Sequence, residues 1–235
     1  MQNPFKKLPL KKAWFYIKYS ILLLFQVALL SVIIYRVVPV PITWTVVERW
    51  NGLDKDWIPY EKISKNVVIA AMTSEDPNFN THWGFEFKAI KEAYEDNYDD
   101  DNKTKKLKGG STISQQTAKN VFLYQGWGIT RYIRKAFEIP FTVLIEVMWT
   151  KRRIMEVYLN IIEMGPGIYG IEAASQHYYR KPASKLTVAE SASIVVCFPS
   201  PLKRKPTALS PRLQRKRDRI ARWMVGYKLP PNLEP

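Results

Sequence analysis

One cysteine and two histidines are all that this 235-residue chain offers of the residues that most often close disulfides or hold zinc. The single Cys197 excludes an internal disulfide, and three such residues do not make a plausible zinc site. Cys197 itself lies in the apolar run Ser193–Phe198 and reads as core packing. Stretches with the strict alternation of a half-buried strand are few, which argues against a β fold. There is no internal repeat. Acidic residues are missing from the start of the chain, where Lys6, Lys7, Lys11, Lys12 and Lys18 carry all of the side-chain charge.

Beyond those lysines the chain turns apolar. Tyr19–Tyr35 contains no charged residue, and the stretch runs on to Val40 with Arg36 as its one interruption. At about 1.5 Å rise per residue this is enough to cross a hydrocarbon core of about 30 Å. Arg36, near the far end, can snorkel to the headgroups. A cleaved signal peptide would show an apolar region of about 7–15 residues ending at small side chains. Here large residues continue through Tyr35, Arg36, Val37 and Val38, so a retained anchor is expected. The positive-inside rule puts the N-terminus in the cytoplasm and the remainder outside. Trp14, Phe15 and Tyr16 on one side, with Tyr35 and Trp44 on the other, suit the two interfacial belts. The expected organisation is a basic cytoplasmic tail over 1–18, a transmembrane helix over 19–40, a juxtamembrane connection over 41–60 and one domain over 61–235.

The net charge is +15. Five of those charges precede the apolar run, so the remainder keeps an excess of ten. Such an excess suits anionic headgroups, phosphate-bearing substrates or nucleic acid. Export across a membrane makes nucleic acid the weakest of the three, and no nucleic-acid partner is expected. From Glu61 onward the periodicity predicts helices over 61–73, 86–96, 112–123, 131–149, 151–163, 169–180, 187–197 and 211–226, a mainly α fold. Residues 94–108 pack acidic residues and then lysines with little apolar content, which predicts a mobile loop.

Four runs carry chemistry. Ser74–Gly84 places Glu75 and Asp76 directly after the apolar segment Val67–Met72, and Pro77 then forces the chain out of helix. A carboxylate half sunk in an apolar wall has its charged form disfavoured, which suits a general base. Alone, the run reads equally well as an acidic surface turn. In Lys108–Asn120 two glycines permit a tight turn, and Thr112 with Gln115 matches a capping box. Unpaired N–H groups at such a start attract anions, and Gln115, Gln116 and Lys119 share a face. A well-capped surface helix would look the same. Arg134 and Glu138 lie one turn apart beside Lys135, and read either as a surface pair or as a second carboxylate next to a cationic patch. Lys151–Asn160 is an amphipathic helix with Ile154, Tyr158 and Ile161 on one stripe, more scaffold than catalyst. The turn Gly165–Gly170 comes after it.

The ordered set ED-x-x-F-x-x-H-x-G, GGSTI-x-QQ, RK-x-x-E and K-x-x-I-x-E-x-YLN resembles the family 51 glycosyltransferases, the peptidoglycan glycosyltransferases, over about Glu61–Met224. Lys108 and Ser114 are small departures from the family pattern. The resemblance implies a lysozyme-like α fold and a lipid-pyrophosphate-linked disaccharide-peptide, lipid II, as substrate. The reaction it implies is inverting transfer of the growing lipid-linked glycan strand onto the 4-hydroxyl of incoming lipid II, leaving a β-1,4 bond. It makes Glu75 the base and Glu138 a second catalytic carboxylate. It makes Ser111, Gln115, Gln116, Lys119, Asn120, Arg134, Lys135 and Lys151 substrate-binding residues. Arg131 is only a candidate for a further pyrophosphate contact. A divalent ion, Mg or Mn, could share the leaving-group charge; no organic cofactor is implied. The implied setting is the bacterial inner membrane, single-pass, with the domain on the outer face, among membrane lipids and cell-wall synthesis or division proteins.

A lysozyme-type hydrolase would explain the α fold and the glutamate. It must protonate a sugar alkoxide, however, and needs no phosphate clamp. A non-catalytic scaffold is the other rival. Ser200–Lys203 and Ser64–Asn66 match penicillin-binding transpeptidase patterns in the wrong order, and there is no K-T-G; the monofunctional form is expected. Finally, the basic face of 211–224 suits anionic headgroups. Trp127 and Tyr132 near Ile129 and Ile133 suit insertion into a leaflet.

Overall fold

The computed structural model describes residues 10–49, 52–87, 91, 110–126 and 128–235. Lys6, Lys7, the expected loop over 94–108, Lys108, Gly109, most of the helix expected over 86–96, and Trp127 lie outside the described residues. The chain divides after Val38 into two units.

The first unit is helix α1, Leu10–Tyr35. Its Lys12–Tyr35 portion is long and apolar enough to cross a membrane, with mean hydropathy 2.2. The helix stops at Tyr35 rather than continuing to Val40. Pro39 and Pro41 come next, and a proline biases the residue before it away from helical backbone.

The second unit is mainly helical. It begins with α2 (Trp44–Arg49), a short strand β1 (Asp54–Lys55) and one 3-10 turn (Tyr60–Lys62). Helix α3 then runs Lys65–Glu75, with the Ser64 hydroxyl accepting from the Asn66 N–H. The helix expected over 61–73 therefore starts later and reaches Glu75. Its residues Val67–Thr73 are all buried. Next come α4 (Ile113–Phe122), α5 (Thr130–Met148) and α6 (Lys151–Ile161). Both halves of the predicted capping box form at α4: the Thr112 hydroxyl accepts from the Gln115 N–H, and Gln115 Oε1 accepts from the Thr112 N–H. The chain closes with β2 (Glu163–Gly165), β3 (Ile168–Tyr169), α7 (Ile171–Tyr179), α8 (Val188–Val195) and α9 (Pro211–Met224).

Sequence patterning misses the small sheet, whose order is β1-β3-β2. β3 pairs parallel with β1 and antiparallel with β2 across the Gly165–Ile168 turn. Two- and three-residue strands are too short to show alternation, and β1 pairs with residues more than a hundred positions away. Gly170 ends this turn with φ +86°, and a Cβ there would come within 2.7 Å of the Asn160 carbonyl oxygen. Only glycine fits such an approach.

Two packing groups build the core. Helix α4 lies against α5 and α6, while α3 lies against α8 and α9. Tyr60, Ile154, Tyr158 and Ile161 are buried between the layers, as the stripe on α6 predicts. Asn160, fully buried, ties residues 52–63 to α6. Its Oδ1 accepts from the Ile58 N–H at 3.0 Å, and its Nδ2 donates to the Ile58 carbonyl at 2.9 Å. Asn160→Ala would leave both Ile58 groups buried without partners, at about 1–3 kcal/mol. We expect thermal denaturation to show a midpoint lowered by roughly 5 °C. An unchanged midpoint would mean that the segment is held elsewhere.

Candidate active site

Glu75 is the last residue of α3 and stands at the edge of the core, half-buried. Burial pushes its carboxyl above the ordinary 4.5. The Gln116 side chain, Lys216 and Arg204 pull the other way, and Asp76 adds to the rise. Gln116 Nε2 donates to Glu75 Oε2 at 3.3 Å, and the Tyr158 hydroxyl donates to Gln116 Oε1 at 3.4 Å. Tyr158 is itself held neutral, its hydroxyl pushed well up first by burial and then by Glu75 and Asp76.

Asp76 does more than shape the turn. It is buried, and His82 Nε2 lies 2.9 and 3.0 Å from its two oxygens. The Ile113 N–H, at the first turn of α4, donates to Oδ2 at 2.9 Å. The Gly84 N–H donates to His82 Nδ1 at 3.0 Å. That nitrogen therefore accepts, which leaves the Nε2 side of the ring to face Asp76. Gly84 has φ +81°, and a Cβ there would lie 2.6 Å from Thr142 Cγ2 on α5. The glycine of the first motif thus lets α5 close on the turn. Its carbonyl accepts from the Thr112 hydroxyl at 2.7 Å.

Across Gln116 from Glu75 lies a cavity of about 110 Å³ lined by Ser111, Gln115, Gln116, Lys119, Arg134, Lys135 and Glu138. All seven are residues that the sequence motifs single out. Arg134 and Glu138 are not a surface pair, for both are buried. Arg134 Nη1 donates to Glu138 Oε1, and Lys135 Nζ donates to Oε2 at 2.8 Å and to Ser111 Oγ at 3.2 Å. Arg134 Nε is buried and has no hydrogen-bond partner among the described residues. Lys119 is lowered from 10.5, first by burial and then by Arg134, Lys135 and Arg49, with Glu138 opposing. Three cations thus surround one carboxylate, an arrangement short of negative charge.

A second cavity, about 220 Å³, adjoins the first through Gln116 and Lys119 and is also lined by Asn120. Lys151 does not join either cavity. Its Nζ donates to the His82 carbonyl at 2.7 Å and to Glu146 Oε1 at 2.8 Å, and lies 4.7 Å from the Phe79 ring centre. Ser114 donates to the same Glu146 oxygen. Lys151, expected from the sequence to bind substrate, is here engaged with a buried carboxylate that braces the motifs. Arg131 is exposed, over the Tyr132 ring, and lines neither cavity.

Sequence reasoning also misses residues. In the sequence Lys216 on α9 reads only as part of a basic surface. Yet α9 packs on α3, and Lys216 is lowered by burial while Glu75 raises it. Arg49 on α2 carries no local signal at all. Only long-range packing brings either one in.

Among the described residues the donor set does not build a metal site by itself. Among the described residues there is no group of three or more His, Cys, Asp or Glu able to hold one. Both Glu138 oxygens already face cations.

A carboxylate base candidate facing a cation cluster, in a mainly helical domain, is the equipment of a glycosyl-transferring enzyme with a lysozyme-like fold. The comparisons agree with that class. A family model described as transglycosylase matches residues 43–225, and the chain belongs to this family. It is 42% identical over 217 residues to a biosynthetic peptidoglycan transglycosylase of Pasteurella multocida (strain Pm70), covering 88% of this chain and 85% of that one. A protein of the same description from Caulobacter vibrioides (strain ATCC 19089 / CIP 103742 / CB 15) is 51% identical over 178 residues, covering 74% and 75%. One from Yersinia pseudotuberculosis serotype O:1b (strain IP 31758) is 39% identical over 221 residues, covering 90% and 89%.

The raised carboxyl of Glu75 predicts a stability effect with a definite sign. Well below pH 4.5 the group is protonated in both states and its burial costs nothing extra. As pH rises the unfolded chain ionises first, so stability is lost until the higher folded-state value is passed. Glu75→Gln should therefore raise the melting temperature at pH 7 and change it little at pH 4. Equal shifts at both pH values would contradict the raised carboxyl.

Proposed function

We infer that the protein is a peptidoglycan glycosyltransferase, polymerising lipid II into β-1,4-linked glycan strands for cell-wall synthesis. The observation that carries the reading is the cation excess around Lys119, Arg134 and Lys135, one glutamine away from the protonation-prone Glu75. A hydrolase has no use for that clamp.

In this reading the pyrophosphate of the growing strand lies against Lys119, Arg134 and Lys135, with the orphaned Arg134 Nε turned to an oxygen. The 4-hydroxyl of the incoming lipid II attacks the anomeric carbon from the face opposite the pyrophosphate. Glu75 takes the hydroxyl proton as the new C–O bond forms, and the bond to pyrophosphate breaks. The lipid pyrophosphate leaves with the electron pair, its charge met by the three cations. Gln116 holds Glu75 in place, and Lys216 favours its ionised form. Glu138 has both oxygens occupied, so it acts as a positioning residue that aims Arg134 and Lys135. A divalent ion would have to arrive on the substrate's own phosphates, and no step runs through one.

For the setting, we read α1 from Tyr19 onward as a single membrane span, with residues 1–18 on the cytoplasmic side and the catalytic residues outside. Its support is the five lysines before the span. Helix α5 adds a membrane contact. Opposite its buried Arg134, Glu138 and Thr142, it exposes Ile129, Tyr132, Ile133, Ile139, Val143 and Val147. An exposed apolar face of this size on a domain handling a lipid-linked substrate suits the outer leaflet. Contacts with wall-synthesis or division proteins are a further proposal, for which the described surface offers no specific site.

The test is glycan formation from labelled lipid II. Glu75→Gln should lose about 10²–10⁴-fold in rate, as for a general base. Glu138→Gln should lose rate while Glu75 remains competent. Polymer from Glu75→Gln at the wild-type rate would sink the mechanism, and soluble muropeptides released from finished peptidoglycan would favour a hydrolase. Separately, replacing Tyr132, Ile133 and Val143 by serine should weaken the binding of residues 39–235 to vesicles about tenfold or more. Unchanged sedimentation with vesicles would remove α5 from the membrane.

A further inference from the structure

The second cavity has a wall that the reaction does not use. It comes from α2, the short helix that precedes the first catalytic motif. Arg49 and Thr45 line the cavity beside Lys119 and Asn120, with Glu163 of β2 on the same wall. Arg49 Nη1 donates to Glu163 Oε2, where the Glu163 side chain is 4% exposed and that of Arg49 40% exposed. The Tyr169 hydroxyl donates to the other Glu163 oxygen at 3.4 Å. The helix is fastened to the site as well: the Gln125 N–H donates to Glu48 Oε1 at 2.9 Å, and Gln125 Nε2 reaches Thr45 Oγ1 and, at 3.4 Å, Asn120 Oδ1. Glu48 Oε2 is buried and has no partner among the described residues.

The chemistry of this wall differs from that of the clamp. A buried carboxylate within it opposes a phosphate. Amide, hydroxyl and guanidinium groups beside Phe198 and Pro199 suit an uncharged ring with hydroxyl and acetamide substituents. The cavity shares Gln116 and Lys119 with the clamp, so whatever fills it is covalently close to the pyrophosphate. We propose that Arg49, oriented by Glu163, binds the second sugar of the donor strand, the one next to the sugar whose anomeric carbon reacts. Helix α2 is thereby part of the active site rather than a tether. The assignment rests on the lipid-pyrophosphate reading of the clamp.

The test compares two soluble, short-chain lipid-pyrophosphate probes, one carrying the disaccharide-peptide and one the monosaccharide-peptide. In both the terminal 4-hydroxyl is methylated, so each can serve only as donor and neither is consumed. Titration of the full-length protein in detergent should give about tenfold tighter binding of the disaccharide probe, the size of one charge-assisted hydrogen bond. In Arg49→Gln, and in the Arg49→Gln/Glu163→Gln pair, which leaves no lone buried charge, the advantage should fall below about twofold. A tenfold advantage that survives both variants would overturn the proposal, as would an equal loss for the two probes, which would mark Arg49 as a phosphate contact or a purely structural residue. No binding of either probe to wild type, with the protein folded by circular dichroism, would overturn the lipid-pyrophosphate reading and the Arg49 assignment with it.

Discussion

The carboxylate of Asp76 holds the site together. It accepts from His82 on its own turn and from the first N–H of α4, so it fastens the Glu75 turn to the start of the helix that carries Gln116 and Lys119. A carboxylate at a helix start also answers the positive end of the helix dipole. Its burial makes the bond exacting, because an unpaired charge there would cost far more than a surface pair returns. The distance between Glu75 and the cation cluster is therefore set by a buried polar joint, with Gln116 spanning the gap.

A second buried joint braces the first. Glu146 on α5 receives Ser114 and Lys151, and Lys151 also reaches the His82 carbonyl. Helices α4, α5 and α6 thus meet around one carboxylate, close to Gly84, where the absence of a Cβ lets α5 approach. Beside this sits the cluster around the smaller cavity, in which charges are out of balance. Glu138 neutralises only part of the positive charge of Lys119, Arg134 and Lys135, and Arg134 Nε has no hydrogen-bond partner among the described residues. The carboxylates of the frame are hydrogen-bonded, whereas the smaller cavity keeps an excess of cations.

Much of this is legible in the chain. The buried segment Val67–Met72 running into Glu75, the capping box at Thr112 and the one-turn spacing of Arg134 and Glu138 are local, and helical geometry carries them directly into the fold. The seven residues around the smaller cavity all belong to the motifs. The partners of Lys151 are not legible, because its motif shows only a basic helix start and nothing local reveals that Glu146 and the His82 carbonyl lie beside it. The short strands escape because pairing partners such as Asp54 and Ile168 are far apart in the chain.

By itself the sequence determined the apolar helix near the N-terminus, the helical class and the family, because periodicity, charge runs and ordered motifs are properties of neighbouring residues. Only the tertiary structure decided which cations line the cavities and which are engaged as braces. It brought Lys216 into the field of Glu75, engaged Lys151 with Glu146, and set Arg49 against Glu163 on the wall of the second cavity. Those outcomes depend on burial and on contacts between distant segments. The energy of a charge is set by what surrounds it in space, which spacing along the chain does not encode.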